Sequence, residues 1–219
     1  MPKKKSNPDT YRIAINGNWS FEDLYVFPRA YEQVYFLVQS LSPEHDEQDL
    51  ERINHSFRAF PWRGGYSAVN FYNQLKFVTP AKARPQIVSM HKGSPGWFEL
   101  ALVVAAAISV ERLVKSVANS IDHTHGIYDK VVKGLMERKL LRLDVKRKEL
   151  QFKQEELNYI ESSLNQMARI LGFDNLKKIN EKTGHPYVSL KILLSLYRRV
   201  RKLADYSEKG KANFGDGEV

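Results

Sequence analysis

A short glycine-containing segment, Arg63-Gly64-Gly65-Tyr66-Ser67, has the residue types of an anion-binding turn. Two glycines ahead of a helix expose backbone N–H groups, and the arginine and serine add side-chain donors. The segment is not a Walker loop, because no Gly-Lys-Ser/Thr follows at the required spacing. Two interpretations fit: a binding site for a small anion, and a tight turn that leads into a helix.

Basic side chains are concentrated in the second half of the chain. Between residues 130 and 153, nine basic residues stand against three acidic ones, and a helix expected over 188–206 adds more. Phosphate contacts from such faces give binding that is independent of base sequence and sensitive to salt. The alternative is a solvated basic face. The candidate nucleic-acid contacts are Lys139, Arg142, Lys146, Arg147, Lys148, Arg198, Arg199, Arg201 and Lys202.

One apolar residue recurs at every seventh position from Met136 to Leu171. Such a repeat is typical of a helix that packs along one narrow stripe, and its later part fits a coiled coil. Packing within the chain and self-association are both compatible with this pattern. The candidate oligomerisation residues are Leu143, Leu150, Leu157, Leu164 and Leu171.

Residue patterns for catalysis or metal binding are missing from the sequence. There are no cysteines, and no nucleophile elbow or His-Glu-x-x-His motif occurs. His123 and His125 are two residues apart, which on a helix places them on different faces, so we expect a surface turn near Gly126. The sequence therefore predicts no enzyme activity, no metal and no cofactor.

The elements expected to position these residues give an α+β fold that is mostly α. A small α+β domain with few strands precedes long helices and a C-terminal helical unit. The predicted divisions are a disordered basic tail over 1–10, the α+β domain over 11–93, an apolar central helix over 94–126, a long basic heptad helix over 127–171, short helices over 172–206 and a flexible tail over 207–219.

The central helix is expected to begin with Ser94 as its N-cap and Pro95 as its first residue. The run from Leu100 to Val110 is eleven residues long, and Ser109 is its single polar member. At 1.5 Å per residue this run is about 16 Å long, roughly half of a ~30 Å bilayer core. Burial in the core or at an oligomer interface is favoured over membrane contact by the helix over 97–117.

Three stretches, NWSFEDLYVFPRAYEQVY, PWRGGYSAVNFYNQL and ARPQIVSMHKGSPGWFEL, resemble a family of uncharacterised bacterial proteins in which a short α+β region precedes helices. The resemblance covers about residues 11–100. It implies a bacterial mobile-element or defence setting, and it carries over neither an activity nor functional residues.

Function is therefore expected from binding surfaces. The leading hypothesis is a non-enzymatic interaction or regulatory module that self-associates or docks on a larger protein through its helical arm. The alternatives are nucleic-acid binding through the basic helices over 130–153 and 188–206, consistent with the net charge of +9, and a membrane-associated effector that makes peripheral membrane contact through the helix over 97–117. A cytoplasmic location is expected, because there are no cysteines and the polar N-terminus is not followed by an apolar run.

Overall fold

A computed structural model describes residues 10–42, 45–59, 64–93, 95–140 and 152–215, without the side chains of 59 and 64–67. The strands are β1 (Thr10–Ile15), β2 (Gln86–His91), β3 (Gly96–Ala101) and β4 (Ala212–Phe214). The helices are α1 (Phe21–Ser40), α2 (Glu47–Ala59), α3 (Gly64–Val78), α4 (Val104–Ala118), α5 (Ile121–Glu137), α6 (Gln154–Leu171), α7 (Leu176–Thr183) and α8 (Pro186–Glu208), with a 3₁₀ turn at Ala81–Ala83.

The four strands form one sheet in the order β2-β3-β1-β4, and every neighbouring pair is antiparallel. Since β1 and β2 both run opposite to β3, they are parallel to each other with β3 between them. This is the split βαβ arrangement of ferredoxin-like folds, here with several helices in the β1–β2 and β3–β4 connections and none between β2 and β3. The predicted α+β, mostly α class is confirmed.

The sheet takes strands from beyond the predicted α+β domain of residues 11–93. β3 follows that range, and β4 lies within the segment 207–219 that was expected to be flexible. Ala212 and Phe214 are buried, and the Phe214 ring lies 5.9 Å from that of Phe27. The chain at β4 is therefore held in place by its pairing with β1 and by this aromatic contact.

The prediction of one helix over 94–126 is wrong. Residues 96–101 form β3, because side chains there alternate with a period of two: Phe98 and Leu100 face the helices, while Trp97 and Glu99 lie on the other face of the sheet. The helix begins only at α4, after Val103 as its N-cap. Pro95 precedes the strand, and Ser94 lies outside the described residues.

The apolar face of α4 is buried in the protein core. Ala107, Val110, Val114 and Val117 are fully inaccessible, and the helix packs on α8, α1 and α6. No helix in the described part of the chain is long and apolar enough to span a bilayer. The apolar side that suggested membrane contact over 97–117 is thus covered by other helices.

The predicted continuous helix over 127–171 is also wrong. α5 ends at Glu137, Lys139 has a left-handed backbone with φ of 57°, and α6 begins at Gln154. The two helices pack against each other, and a Cβ on Gly134 would lie 2.5 Å from Cζ of Tyr159. The expected turn at Gly126 is absent, because this residue lies inside α5.

The helical core is organised around α8. Leu193, Leu196, Val200 and Leu203 are fully buried, and α8 packs on α1, α4 and α6. Burying each such side chain stabilises the fold by about 1.5–3 kcal/mol. Because α8 lies between α1, which packs near the sheet, and α6, the orientation of its polar side chains is fixed relative to both helices.

Two helix ends are set by residues close to them in the sequence. Ser20 caps α1, since its Oγ accepts from the backbone N–H of Asp23 while the Asp23 carboxylate accepts from the backbone N–H of Ser20. Gly172 ends α6 with φ of 60°, a left-handed conformation that disfavours residues with a Cβ.

Candidate functional site: a basic cleft between three helices

A cleft of about 390 Å³ lies between α1, α3 and α8. We call it the basic cleft. Among the described residues, its lining contains no acidic side chain and four cationic ones, which are Arg29, Arg198, Arg199 and Lys202. Since anions favour such a positive potential, the cleft has the charge of a binding site for phosphate or carboxylate groups.

Packing of α8 explains the position of the three cations that this helix contributes. With its apolar stripe buried, the helix turns Arg198 and Lys202 outward, and both are exposed. These residues are four positions apart, so they project from one face about 6 Å apart along the helix axis. Arg198 is held at one side by a 3.4 Å hydrogen bond from Nη1 to Oη of Tyr128.

Arg199 lies deeper and is fixed by polar groups that carry no charge. Its guanidinium stacks 3.9 Å above the ring of Tyr72, and Nε donates to Oε1 of Gln33 at 2.6 Å. Nη1 donates to both the carbonyl and Oγ of Ser195, at 2.8 and 2.7 Å. Four contacts therefore orient the side chain without neutralising it.

Electrostatics around Arg199 reflect this lack of a counter-charge. Burial lowers the pKa of Arg199 from its ordinary value, Tyr72 partly opposes this, and the positive charges of Arg198 and Arg29 lower the pKa further. Burying a charge without an opposite partner is costly. In the described part of the chain no carboxylate lies within 4 Å of the cleft cations, so a bound anion would relieve this cost.

The fourth cation lies at the rim on α1. Arg29 donates from Nη1 to Oη of Tyr25 at 3.0 Å, and its guanidinium lies 5.6 Å from that ring. Tyr25 itself is 62% exposed. An exposed aromatic ring beside a cluster of cations is a surface on which a nucleic-acid base stacks.

Neighbouring acids limit the cleft on one side. Lys202 and Val26 also line a second depression, which contains Glu22, Asp23 and Asp205. Asp205 is paired with Arg201, and Asp23 is paired with Lys211. Two of these three acids are therefore engaged outside the cleft, and the unpaired positive charge is concentrated toward Arg198 and Arg29.

The predicted anion-binding turn lies close to the basic cleft. Gly64, Gly65, Tyr66 and Ser67 form the first turns of α3, and Val69 lines the cleft. Gly64 precedes Val69 by five residues, or about 7.5 Å along the helix, so the positive end of the helix dipole is near. Arg63 and the side chains of 64–67 lie outside the described residues.

Of the predicted nucleic-acid contacts, the structure brings together Arg198, Arg199 and Lys202. Arg201 points elsewhere and pairs with Asp205. Lys139 is exposed just after α5 and does not line the cleft. The remaining candidates, Arg142, Lys146, Arg147 and Lys148, lie outside the described residues.

Sequence reasoning missed Arg29, Tyr25 and Gln33 on α1. The sequence feature that could have identified them is their spacing: Tyr25, Arg29 and Gln33 are four residues apart on the polar side of an amphipathic helix. That spacing places residues on one face, but it does not say that α8 lies opposite. Only the packing of α1 on α8 joins the two sets of residues.

The predicted oligomerisation stripe is partly used inside the chain. Leu164 and Leu171 are buried, and α6 packs mainly on α8. Leu157 is half-buried, and Leu143 and Leu150 lie outside the described residues. Since Leu164 and Leu171 already pack within one chain, they are not available to a second copy without unfolding.

Histidines do not form a metal site in the residues that the structure covers, where no group of three histidine or acidic ligands occurs. His123 and His125 are exposed on α5, and Nε2 of His125 lies 3.5 Å from the carboxylate of Asp129. This is an ordinary i, i+4 surface pair.

Comparison of the chain with protein-family models, with curated proteins and with solved structures found no match, so the basic cleft is interpreted from its own geometry.

Proposed function

We propose that this chain is a non-enzymatic binding module that holds the phosphate backbone of a nucleic acid in the basic cleft. The observation that carries the proposal is Arg199, a partly buried guanidinium oriented by neutral groups and surrounded by cations. A phosphate at the cleft supplies the negative charge that the described residues do not place there.

Nucleic acid fits this surface better than a single small anion. Arg198 and Lys202 are one helical turn apart on the rim, Arg29 faces them from α1, and Arg199 forms the floor. Such an extended set of cations matches several phosphates along a strand, and the exposed ring of Tyr25 offers a stacking platform. Single-stranded substrate is favoured, because its bases are free to stack.

Fluorescence anisotropy with labelled single-stranded and duplex DNA and RNA, measured over a series of salt concentrations, tests the proposal. Each phosphate contact contributes about −0.7 to the slope of log K against log salt for a single strand. Replacing both rim cations, Arg198→Ala with Lys202→Ala, removes two contacts. The slope should become shallower by about 1.4, and affinity at 0.1 M salt should fall by about 25-fold, which is that slope change extrapolated from 1 M.

The matched control removes the same charge from elsewhere. Lys133→Ala with Lys177→Ala eliminates two exposed lysines, on α5 and α7, that do not line the cleft. Affinity should change little in this variant. A larger loss in the control than in the cleft variant would place the site outside the cleft, and absence of binding to any strand at low salt would refute the proposal.

A protein-interaction role is supported by a separate observation. Ile87, Val88 and Met90 on the edge strand β2 are each about half exposed, at 57, 57 and 49%. Exposed apolar residues grouped on one element mark contact surfaces more often than scattered ones do. Self-association through the heptad residues is less favoured than contact at β2, because Leu164 and Leu171 pack internally.

A further inference from the structure

The outer edge of β2 is a second surface with the properties of a binding site. The strand pairs only with β3 among the described strands, so the hydrogen-bonding groups of its other edge are not used by the sheet. Proteins ordinarily protect such edges with lysine, proline, inward-pointing charge or a β-bulge, and of these β2 has only the bulge between Ile87 and Ser89. None of the six residues Gln86–His91 is a lysine, a proline or an acid.

Side chains on β2 are apolar where a neighbouring strand would contact them. Ile87 is paired with Leu100 and Met90 with Phe98, so both lie on the helix-facing side of the sheet, yet both are exposed. Val88 lies at a β-bulge between Ile87 and Ser89 and is exposed as well. A strand added about 4.8 Å away would cover all three.

A groove continues this apolar surface toward α1. Its volume is about 340 Å³, and its walls are Ile87 and Pro85 on one side, Tyr25 and Pro28 of α1 on the other, with Phe98 and Leu100 as the floor. Volumes of about 300–1,000 Å³ are usual for binding pockets. The side chains of an added strand that point toward the helices would enter this groove.

Charges around β2 define the chemistry of its partner. Lys82 and Lys92 are exposed before and after the strand, and Arg29 lies at the rim of the groove. The nearby acids are already paired: Glu32 with Lys76 at 2.7 Å and Glu99 with Arg12 at 3.1 Å. The ends of the edge are therefore positive, and a complementary strand carries acidic residues at both ends.

We infer that the free edge of β2 binds an extended segment of a partner protein, apolar at alternate positions and acidic at both ends, by strand addition to the sheet. Main-chain hydrogen bonds supply affinity, and the groove and the flanking lysines supply specificity. A second copy of this chain is a poorer occupant, because antiparallel pairing of two β2 strands places Lys92 of each near Lys82 of the other, and like charges repel.

Selection of random peptides of about 12 residues on phage, with the full chain as bait, tests the inference. Enriched peptides should alternate apolar and polar residues between Asp or Glu ends. Selected peptides, synthesised and labelled, should bind Val88→Lys at least about tenfold more weakly, a loss of about 1.4 kcal/mol. Hydrogen exchange of the amides of residues 86–91 should slow in the complex.

Met136→Lys is the matched control, because Met136 is 59% exposed, like Val88, but lies on α5. This variant should bind the peptides as the unmodified chain does. Arg198→Ala with Lys202→Ala should also retain peptide binding, which separates this inference from the nucleic-acid proposal.

Three results would overturn the inference: selection that enriches no peptides or peptides without acidic ends, peptide binding that Val88→Lys leaves unchanged, and slowed exchange outside 86–91. Light scattering that shows a dimer abolished by Val88→Lys would assign the edge to a second copy instead.

Discussion

Replacement of Gly134 by alanine tests whether α5 and α6 are two packed helices or one continuous helix. The two arrangements predict opposite signs for the change in the free energy of unfolding. In one straight helix over 127–171, Gly134 and Tyr159 would be 25 positions apart, or about 37 Å along the axis. Alanine would then add helix propensity and stabilise the protein by about 1 kcal/mol. In the structure the two residues are in contact, since α5 packs on α6.

The magnitude follows from the contacts of Tyr159. A new Cβ would overlap its hydroxyl group and lie 2.5 Å from Cζ, so the ring must move. Movement costs the 3.2 Å hydrogen bond from Oη to the carbonyl of Val131, about 1 kcal/mol, and the stacking of Arg138 at 3.9 Å, about 0.5–1 kcal/mol. With repacking strain of about 1 kcal/mol added and the propensity gain of about 1 kcal/mol subtracted, Gly134→Ala should destabilise the protein by about 1.5–2 kcal/mol.

Urea unfolding followed by circular dichroism measures this effect in two backgrounds. In the unmodified chain, Gly134→Ala should lower the free energy of unfolding. In a Tyr159→Leu background the obstructing hydroxyl and Cζ are gone, so the same change should become neutral or stabilising by up to about 1 kcal/mol. Equal stabilisation in both backgrounds would refute the packing of α5 on α6.

Three further predictions concern the core and the titrating groups. Leu171→Ala should destabilise the protein by about 2–5 kcal/mol, because the side chain is fully buried, whereas Leu157→Ala should cost less than half of that; in urea, both unfolding midpoints should be independent of protein concentration. The pKa of Asp23 is held well below its usual range by Lys211 and the Ser20 backbone amide. Its contribution to stability is complete above the unfolded pKa and is lost as pH falls below about 4, so Asp23→Asn should flatten the acid branch of stability against pH. Burial lowers the pKa of Lys191 to about 8, with a smaller contribution from the positive charge of Arg198. The unfolded state then binds more protons above that pH, so stability should rise between about pH 8 and 10.5, and Lys191→Met should abolish the rise.

Several helix boundaries were predictable because they depend on neighbouring residues. The Ser20 cap, the Gly172 terminus and the buried face of α8 each follow from residue types within one or two turns. The sequence also identified Arg198, Arg199 and Lys202 as basic residues outside that buried face. Local preferences of this kind act before the chain meets any distant partner.

Other predictions of helices were wrong because the local sequence is compatible with two structures. Residues 96–101 are as apolar as the helix that follows them, and only pairing with β1 and β2 stabilises the extended form. The heptad spacing from Met136 to Leu171 is correct as a list of apolar positions, but it does not report that the helix ends at Glu137. Tertiary pairing outweighs propensity at both places.

The sequence by its own pattern specifies the α+β class, the apolar positions repeated from Met136 to Leu171, and the excess of basic residues in the second half of the chain. These properties are set by composition and by residue spacing over a few turns. Only the tertiary structure decided that β4 joins the sheet, that Leu164 and Leu171 pack internally, and that Arg29 faces Arg199. Each of these depends on contacts between residues far apart in the chain, whose geometry local preferences do not specify.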